Sequence, residues 1–359
     1  MNQPEIHQIL PAMNYGEAVG NNALFIRRII RSMGIKSEIY AGQIDQRLIG
    51  EVLNIKTCMN NSDNIIIHHF AIGSEVNEMV FDIQCKKKIM IYHNITPKEF
   101  FLNCCSRSYV LCEQGREQLK RGKDKYDLCI GVSDYNVKEL LNIGYKNVAV
   151  VPITFSKKEY LQKPTLSIQK KYSDHKVNIL FVGRVVPNKR QEDLLKVFFY
   201  YQNYINRFSR LLIVGSYNGM ERYYNKLRNM SDELKLNDVV FSGHIRFEDV
   251  LAYYRSSDVF LCLSEHEGFC VPLLEAMFFE LPIIAYNKCA VPGTLKGSGV
   301  LVNSKDHYAI SEMIHEIVKN DDFRQKLINK QNKVLNEYNE SKIASELKEA
   351  IMEVFNSVD

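Results

Sequence analysis

The stretch DVFLCLSEHEGFCVPLLEA, residues 258–276, decides how the C-terminal half of the chain folds. Its apolar run Asp258–Leu263 predicts a buried strand, and the proline that follows Val271 predicts a helix beginning near Cys270 or Val271. Gly268 lets the backbone between strand and helix pass close to a ligand. Because a strand that leads through a tight turn into a helix is a building unit of parallel sheets, the stretch predicts an α/β domain.

Two glutamates in this stretch are candidate ligand-binding residues. Glu267 lies on the loop and Glu275 about one turn inside the helix, so both carboxylates could accept hydrogen bonds from hydroxyls of one extended ligand. The N–H groups at the helix start would suit diphosphate oxygens. The alternative is that both glutamates are solvated surface charges. The Gly-Phe-x-x-Pro turn in which they are embedded favours a ligand site.

Short apolar runs alternate with longer amphipathic runs on both sides of a polar, lysine-rich interval at 156–176. This alternation predicts strand and helix in turn, and hence parallel sheets. The predicted strands before the interval are Ile6–Leu10, Glu38–Ala41, Asn64–Phe70, Lys88–His93, Leu128–Val132 and Val148–Pro152. Those after it are Val177–Val182, Leu211–Gly215, Val239–Ser242, Val259–Leu263, Pro282–Tyr286 and Gly299–Val302. The predicted helices include Asn22–Met33, Pro97–Arg121, Asp134–Leu141 and, near the end of the chain, Ser341–Phe355.

The polar interval divides the chain into predicted domains. We expect an N-terminal domain at 1–160, a linker at 161–176, a C-terminal domain at 177–335 and a final helix at 336–359, whose return to the N-terminal domain stays open. Each large domain is predicted to be a doubly wound parallel sheet, in which ligands bind beyond the C-terminal strand ends. A chain of 359 residues is long enough for two such domains.

Composition narrows the class of protein. A net charge of +4 suits an anionic ligand or loose contact with an anionic membrane, and is too small for a typical nucleic-acid-binding protein. The nine cysteines include no CxxC pair, which favours reduced, buried thiols over a metal site. No signal peptide and no apolar run near the roughly 20 residues of a membrane span is evident. We therefore expect a cytoplasmic protein, with peripheral contact at the inner face of the membrane left open.

A second motif, FVGRVVPNKR at 181–190, follows the first predicted strand of the C-terminal domain. Gly183 permits a tight exit from the strand. Arg184 and Lys189 could together neutralise a diphosphate. The alternative is a solvated basic loop, which is common after a strand.

These two motifs resemble those of the retaining glycosyltransferases of the GT-B fold, glycosyltransferase family 4, also called glycosyl transferases group 1. The family carries a Glu-x7-Glu motif around EGFGLPxxEA, and this chain has EGFCVPLLEA, with Cys270 in place of the second glycine. The resemblance implies two Rossmann-like domains facing across a cleft. It implies that Glu267 contacts the donor sugar, that Glu275 binds the ribose, and that Arg184 and Lys189 bind the diphosphate. Backbone amides that help to hold the sugar would come from Gly268, Phe269, Cys270 and Val271.

Further positions align less firmly with the family. The resemblance places the nucleobase near His244 and Ile245, and places His93 near the donor sugar as a catalytic residue with Arg184, Lys189 and Glu267. A lone histidine at a strand end is often structural, and His68 and His69 are interpreted in that way. Gly16 is a candidate for the first strand-to-helix loop, where the family carries glycines and where this chain lacks the usual adjacent pair.

The activity implied by the resemblance is transfer of a hexose, with retention, from a UDP-, GDP- or other nucleotide diphosphate sugar to a glycan or lipid-linked acceptor, in cell-surface polysaccharide synthesis. No Asp-x-Asp pair is present, so we expect no metal and no cofactor, with Arg184 and Lys189 supplying the positive charge. The alternatives are a non-catalytic GT-B protein that binds a nucleotide sugar and a GT-B epimerase. The helix Leu24–Met33 could touch a membrane, but a core helix with arginines facing water is the preferred interpretation.

Overall fold

The computed structural model describes residues 4–58 and 62–356 of the chain. They form two compact α/β units. The N-terminal unit comprises the described residues of Met1–Lys98, Arg107–Thr154 and Tyr338–Asp359, and the C-terminal unit comprises Glu99–Ser106 and Phe155–Glu337. The predicted domain ends at 1–3 and 357–359 lie outside the described residues.

The N-terminal unit is built on a parallel sheet of seven strands in the order β3-β2-β1-β4-β5-β6-β7. All six residues of its β4 strand are buried, as expected of a parallel strand with helices on both faces. The strands are β1 (Ile6–Met13), β2 (Ile39–Ile44), β3 (Leu53–Asn54), β4 (Ile65–Phe70), β5 (Lys87–Tyr92), β6 (Leu128–Gly131) and β7 (Val148–Val150). The helices are α1 (Ala18–Ser32), α2 (Glu75–Asp82), α3 (Ser106–Arg121) and α4 (Asp134–Ile143).

The C-terminal unit is built on a parallel sheet of six strands in the order β10-β9-β8-β11-β12-β13. Its first helices are α5 (Lys157–Tyr160) and α6 (Leu166–Tyr172). The strands are β8 (Val177–Val182), β9 (Ser209–Val214), β10 (Val239–Phe241), β11 (Val259–Cys262), β12 (Ile283–Tyr286) and β13 (Val300–Val302). The remaining helices are α7 (Gln191–Tyr200), α8 (Glu221–Glu233), α9 (Phe247–Arg255), α10 (Val271–Phe278), α11 (Val291–Leu295), α12 (His307–Lys319) and α13 (Asp321–Leu335).

Each sheet has one point at which the strand order reverses. In the N-terminal unit this point lies between β1 and β4, and in the C-terminal unit it lies between β8 and β11. In doubly wound sheets the loops that leave two such strands diverge to opposite faces, and the crevice between them is the usual ligand site. The motifs 181–190 and 264–276 leave β8 and β11, so both lie at the reversal point of the C-terminal sheet.

One predicted helix, Pro97–Arg121, is wrong in extent. The chain forms a 3-10 turn over Lys98–Phe101, and α3 begins only at Ser106. Asn103 between them has a φ of 62°, a left-handed conformation that ends a helix. Residues 99–106 pack with the C-terminal unit, where Cys104 Sγ lies 3.9 Å from Met220 Sδ.

The interval 161–176, predicted as a linker, is folded into the C-terminal unit. It contains α6, which packs on α9. Tyr172 in this interval and Tyr160 just before it are 3% and 8% exposed, and the rings of Tyr172 and Tyr253 pack at a tilt with centroids 5.2 Å apart. The burial of these two aromatic rings stabilises the folded segment, although its composition is polar and rich in lysine.

The last helix, α14 (Glu340–Asn356), belongs to the N-terminal unit and packs on α1. Ile343 and Leu347 of α14 line one small cavity together with Phe25 and Ile26 of α1. The apolar face of α1 is therefore covered by protein. Among the described residues, no helix is long and apolar enough to cross a membrane.

Candidate donor site at the sheet reversal point

The ends of β8 and β9 approach each other through two glycines. A Cβ on Gly215 would lie 2.1 Å from the carbonyl oxygen of Gly183, so no side chain fits there. Both residues have positive φ, 151° for Gly183 and 148° for Gly215, which disfavours side chains independently of space. The backbone then continues with Val185 N donating to the carbonyl of Ser216 at 2.9 Å. This fixed exit sets the position at which the 181–190 motif begins.

Arg184, immediately after this exit, is exposed. Its backbone carbonyl accepts a hydrogen bond from Gln191 Nε2 at 3.0 Å, which holds the main chain in place. Its guanidinium makes no ion pair with any residue in the described ranges 4–58 and 62–356. A fixed backbone with an unpaired cation is suited to meet an anionic group of a ligand.

Lys189 and Glu267 form a buried ion pair between the two motifs. Nζ of Lys189 donates to Oε1 and Oε2 of Glu267 at 2.5 and 2.6 Å. The Glu267 residue is only 6% exposed. Burial alone would lower the pKa of the Lys189 ammonium, but the Glu267 carboxylate outweighs it and raises that pKa above its ordinary value. Lys189 is therefore charged throughout the physiological range.

The loops that carry this pair are also joined by their backbones. Asn188 Nδ2 donates to the carbonyl of His266 at 3.0 Å, and Glu265 N donates to the carbonyl of Asn188 at 2.9 Å. The two motifs, predicted separately from the sequence, thus form one structure at the reversal point. Such cross-linking by hydrogen bonds holds Lys189 and Glu267 in register.

The 264–270 loop ends at Cys270, the N-cap residue of α10. Cys270 has a φ of 74°, in the left-handed region where glycine is the least strained residue. This is the position at which the family pattern has its second glycine. The helix starts directly afterwards at Val271, so the positive end of its dipole is at the loop. Thr294 Oγ1 donates to the carbonyl of Phe269 at 2.5 Å and fixes the loop from behind.

Glu275 is held by two tyrosines. Tyr160 donates its hydroxyl to Oε1 at 2.7 Å, and Tyr254 donates to Oε2. Burial raises the pKa of Glu275, and the two hydroxyl hydrogen bonds act against that rise. Because each carboxylate oxygen can accept two hydrogen bonds, Glu275 keeps acceptor capacity for a ligand hydroxyl.

A second charged cluster, which the sequence motifs do not indicate, supports the same loops. Asp193 is buried and accepts from Lys305 Nζ at 2.8 Å, His307 Nε2 at 3.1 Å and Arg190 Nε at 3.2 Å. Lys305 also donates to Glu265 at 2.7 Å. Burial would raise the pKa of Asp193, but its bonds to Lys305 and Arg190 lower it. This cluster ties the 264–270 loop to α7.

His244 and Ile245 lie in the loop between β10 and α9, at the same C-terminal edge of the sheet. His244 is exposed and Ile245 is partly exposed. Gly215 and Gly243 form an isolated bridge that holds the start of this loop against the glycine exit of β9. Nearby, Tyr217 and Tyr224 stack with ring centroids 4.0 Å apart. The loop is therefore anchored at its base and open at His244.

In the N-terminal unit, His93 ends a chain of buried polar groups. Gln8 Nε2 donates to the carbonyl of Ala23 at 3.0 Å, so its Oε1 accepts from Nε2–H of His69 at 2.9 Å. Nδ1 of His69 then carries no hydrogen and accepts from Nε2–H of His93 at 2.9 Å. Nδ1 of His93 is left as a bare acceptor, buried and without a partner among the described residues. His69, interpreted as structural from the sequence, sets this tautomer.

The other predicted residue of the N-terminal unit is Gly16. It has a φ of 78° and lies in the turn between β1 and α1. A Cβ built on it would meet no atom within 4 Å. Glycine is thus favoured at position 16 by the backbone conformation alone, whereas at position 215 it is also required by the close approach of another backbone.

The structure brings together Gly183, Arg184, Lys189, Glu267, Cys270 and Glu275 at one edge of the C-terminal sheet, with His244 and Ile245 on the neighbouring loop. The sequence motifs do not indicate three supporting residues, Tyr160, Tyr254 and Asp193. A buried aromatic in the lysine-rich interval and a second acid after the basic motif are the signals that point to Tyr160 and Asp193.

Two parallel, doubly wound sheets with a charged site at the reversal point of the second define the GT-B class of fold. Solved structures of low sequence identity share this fold. Anabaena HepE in complex with UDP-glucose matches with a TM-score of 0.75 and 15% identity, over 97% of this chain and 99% of that chain. Sucrose-phosphate synthase from Thermosynechococcus elongatus matches with a TM-score of 0.73 and 15% identity, over 99% and 100%.

The sequence profile of the family described as Glycosyl transferases group 1 matches residues 163–334, which are most of the C-terminal unit. Over these residues the chain is similar to the glycosyl transferases group 1.

Curated relatives resemble parts of this chain. An uncharacterised glycosyltransferase of Haemophilus influenzae is 35% identical over 172 residues, 47% of this chain and 44% of that protein. The O-antigen chain mannosyltransferase B of Escherichia coli is 24% identical over 58% of this chain and 56% of that protein. An alpha-1,4-N-acetyl-D-galactosaminyltransferase of Campylobacter jejuni, named for an undecaprenol-linked glycan, is 25% identical over 50% of this chain and 49% of that protein. The chain spans about half the length of these relatives.

Proposed function

We propose that this chain is a retaining, metal-independent glycosyltransferase. It moves a hexose from a nucleotide diphosphate sugar to a glycan or lipid-linked acceptor in cell-surface polysaccharide synthesis. The observation that carries the proposal is the buried Lys189–Glu267 pair, which joins the two family motifs at the sheet reversal point. The relatives named for mannosyl and N-acetylgalactosaminyl transfer support the class of substrate.

In the proposed mechanism, the bond between the anomeric carbon and the diphosphate oxygen breaks, and the nucleoside diphosphate leaves with the electron pair. Arg184, Lys189 and the start of α10 stabilise the negative charge that builds on the leaving oxygen. The acceptor oxygen bonds to the anomeric carbon from the face that the diphosphate leaves, and its proton passes to a phosphate oxygen. The stereochemistry of the sugar is therefore retained.

Two N-terminal residues take smaller parts in the proposal. The bare Nδ1 of His93 accepts a hydrogen bond from a hydroxyl of the donor sugar. Gly16 leaves space for donor and acceptor to approach. In the C-terminal unit, Glu267 and the backbone of Gly268, Phe269, Cys270 and Val271 hold the sugar, Glu275 holds the ribose, and His244 and Ile245 lie beside the base.

The relatives also bear on location and acceptor. The Campylobacter relative is named for an undecaprenol-linked substrate. The proposal includes a cytoplasmic location, a lipid-linked acceptor as the reason for any contact with the inner face of the membrane, no resident cofactor and no nucleic-acid partner.

The test is a screen of nucleotide diphosphate sugars for binding by thermal shift, followed by transfer assays with Glu267→Gln. A ligand that binds only the folded state raises its melting temperature. Loss of a transition-state contact at Glu267 should lower transfer by about 100-fold or more. Glu312→Gln, at an exposed glutamate bonded to Tyr308 in the same unit, is the matched control and should leave transfer unchanged.

Three outcomes would contradict the proposal. Full transfer by Glu267→Gln would show that the site lies elsewhere. Turnover of the donor without any acceptor would indicate an epimerase or a hydrolase, and saturable binding without transfer would indicate a non-catalytic binding protein. Loss of transfer on chelation, with recovery on adding a divalent ion, would contradict metal independence.

A further inference from the structure

Three side chains in the candidate donor site lie close enough together to bind one metal ion, which the proposed sugar transfer does not require. Cys262 ends β11, and Glu267 and Cys270 lie on the loop that follows it. One sulfur from each cysteine and one carboxylate oxygen all lie within 4.8 Å of one another. All three residues are buried, at 1%, 6% and 7% exposure.

We propose that Cys262, Glu267 and Cys270 form a binding site for a soft divalent cation of the Zn²⁺ or Cd²⁺ type, and that the bound cation blocks the donor site. The binding itself does not depend on the proposed function; only the blocking does. Such a cation is an inhibitor in this scheme and takes no part in sugar transfer.

The donor set and its spacing fit such a cation. Thiolates bind Zn²⁺ at about 2.3 Å in a tetrahedral arrangement, which brings two sulfurs to roughly 3.8 Å from each other. The observed limit of 4.8 Å between ligand atoms therefore requires only small side-chain movements. Ser264 Oγ, 3.4 Å from Cys262 Sγ, or a water can occupy the fourth position. Soft thiolate ligands select this class of cation over Mg²⁺ or Ca²⁺.

The charge balance of the buried site also allows binding. Without the cation, the Lys189 ammonium neutralises the Glu267 carboxylate, and the two thiols are neutral. With the cation, two thiols lose their protons, so two thiolates and one carboxylate face a divalent ion and one ammonium. The net charge of the buried cluster is zero in both states. Burying this ion therefore adds no uncompensated charge, which would otherwise be the main cost.

The second thiol departs from the family pattern. Cys270 stands where the family pattern has a glycine, in a left-handed conformation that glycine adopts with less strain. A chain with glycine there would keep Cys262 and Glu267 alone, which is too few ligands for a tight site. The metal site thus depends on the cysteine that replaces the second glycine of the motif.

The blocking follows from the ligands. Glu267 cannot accept hydrogen bonds from sugar hydroxyls at full strength while it binds a cation. The cation also draws the Cys270 side of the loop toward β11. If the proposed function is correct, bound cation and donor compete.

The experiment uses the full-length reduced protein in metal-free buffer, titrated with Cd²⁺ and followed by the ultraviolet charge-transfer band between thiolate and cadmium. We expect one Cd²⁺ per chain and release of two protons, measured with a pH indicator. Cys270→Gly should lose this band, and Cys262→Ser should weaken binding at least tenfold. Thermal melts of both variants show whether they are folded.

The matched control is the double variant Cys104→Ser, Cys105→Ser, which removes another neighbouring pair of cysteines in the same unit. It should keep the band and the stoichiometry. A band of unchanged intensity in folded Cys270→Gly, or the absence of any stoichiometric band in the native chain, would overturn the proposal. Because the readout is metal binding and not transfer, it stands apart from the assay of the proposed function.

Discussion

In the C-terminal unit the loops that follow β8 and β11 carry a buried pair of opposite charges, whereas in the N-terminal unit the ends of β4 and β5 carry neutral histidines. Lys189 and Glu267 form the buried pair in the first case. His69 and His93 share hydrogen bonds in the second. Both units have parallel sheets with one reversal point. The same architecture thus supports a charged strand edge and a neutral one.

The difference follows from how each set of side chains offsets the free-energy cost of burying polar groups. A buried carboxylate is tolerated when an ammonium lies against it, and it then fixes the loops on which the two charges stand. Buried histidines instead remain uncharged, because burial lowers the pKa of His68 and of His93 to about 3 and that of His69 well below its ordinary value. A charged edge suits a diphosphate, and a neutral acceptor suits a hydroxyl.

The largest expected effect that separates the two units is acid lability. Between the lowered pKa of the folded state and the ordinary pKa of the unfolded state, such a histidine is protonated only in the unfolded chain. Stability therefore falls as the pH drops from the ordinary value of 6.5 toward about 3. Each such histidine contributes a slope of about 1.4 kcal/mol per pH unit in that window. With three of them, the N-terminal unit should unfold first on acidification.

Hydrogen exchange at pH 7 and pH 5 measures this. Amides of β4 and β5 should lose protection at pH 5, while those of β8 and β11 keep theirs. The variant His244→Asn, at an exposed histidine of the C-terminal unit, should not change the pH dependence. Equal loss of protection in both sheets would contradict the comparison.

The next effect is the cost of separating the charged pair. Lys189→Ala leaves the Glu267 carboxylate buried without its cation, which should destabilise the protein by about 3–5 kcal/mol in urea unfolding. Lys296→Ala is the matched control, since the Lys296–Glu337 pair is 40% and 45% exposed. Removing it should cost about 0.5 kcal/mol. Similar losses of unfolding free energy in both variants would mean that the buried pair stabilises the protein no more than an exposed pair does.

The sequence predicts the local elements of the fold but not the contacts between distant residues. The strands, the parallel sheets and the start of α10 follow from apolar runs, glycine and proline, since these act locally. The pairing of Lys189 with Glu267 spans 78 positions, and the motifs indicated both residues without indicating their contact. Tyr160 does not stand out in the sequence, because the interval 156–176 is rich in lysine and its partner Glu275 lies 115 positions away. His69 was set aside because its role depends on Gln8 and His93, which lie on neighbouring strands.

A third effect compares the glycines of the two units. Gly215→Ala places a Cβ 2.1 Å from a backbone carbonyl and adds a disfavoured φ, so it should destabilise by about 3 kcal/mol or more. Gly16→Ala adds only the disfavoured φ, because nothing lies within 4 Å, and should cost about 1 kcal/mol. Urea unfolding of both variants measures the difference. Equal costs would show that the backbone of β8 yields to the added methyl group.

The smallest expected effect compares two non-glycine residues in the left-handed region. Cys270 and Asn94 have φ values of 74° and 77°. Asn94 Nδ2 donates to Asn136 at 2.9 Å and to Glu139 at 3.0 Å, so Asn94→Gly should cost about 1–2 kcal/mol through the acceptors left behind. For Cys270→Gly the relief of φ strain offsets the lost contacts of the thiol, and stability should change by less than about 1 kcal/mol.

Urea unfolding at pH 7 tests both variants against the native chain. A larger loss for Cys270→Gly than for Asn94→Gly would mean that the buried thiol stabilises the 264–270 loop by packing alone. The strained cysteine would then be explained without a ligand. If Cys270→Gly leaves the free energy of unfolding nearly unchanged, the cysteine does not stabilise the fold despite its strained φ. This is the result expected of a residue whose role is ligand binding.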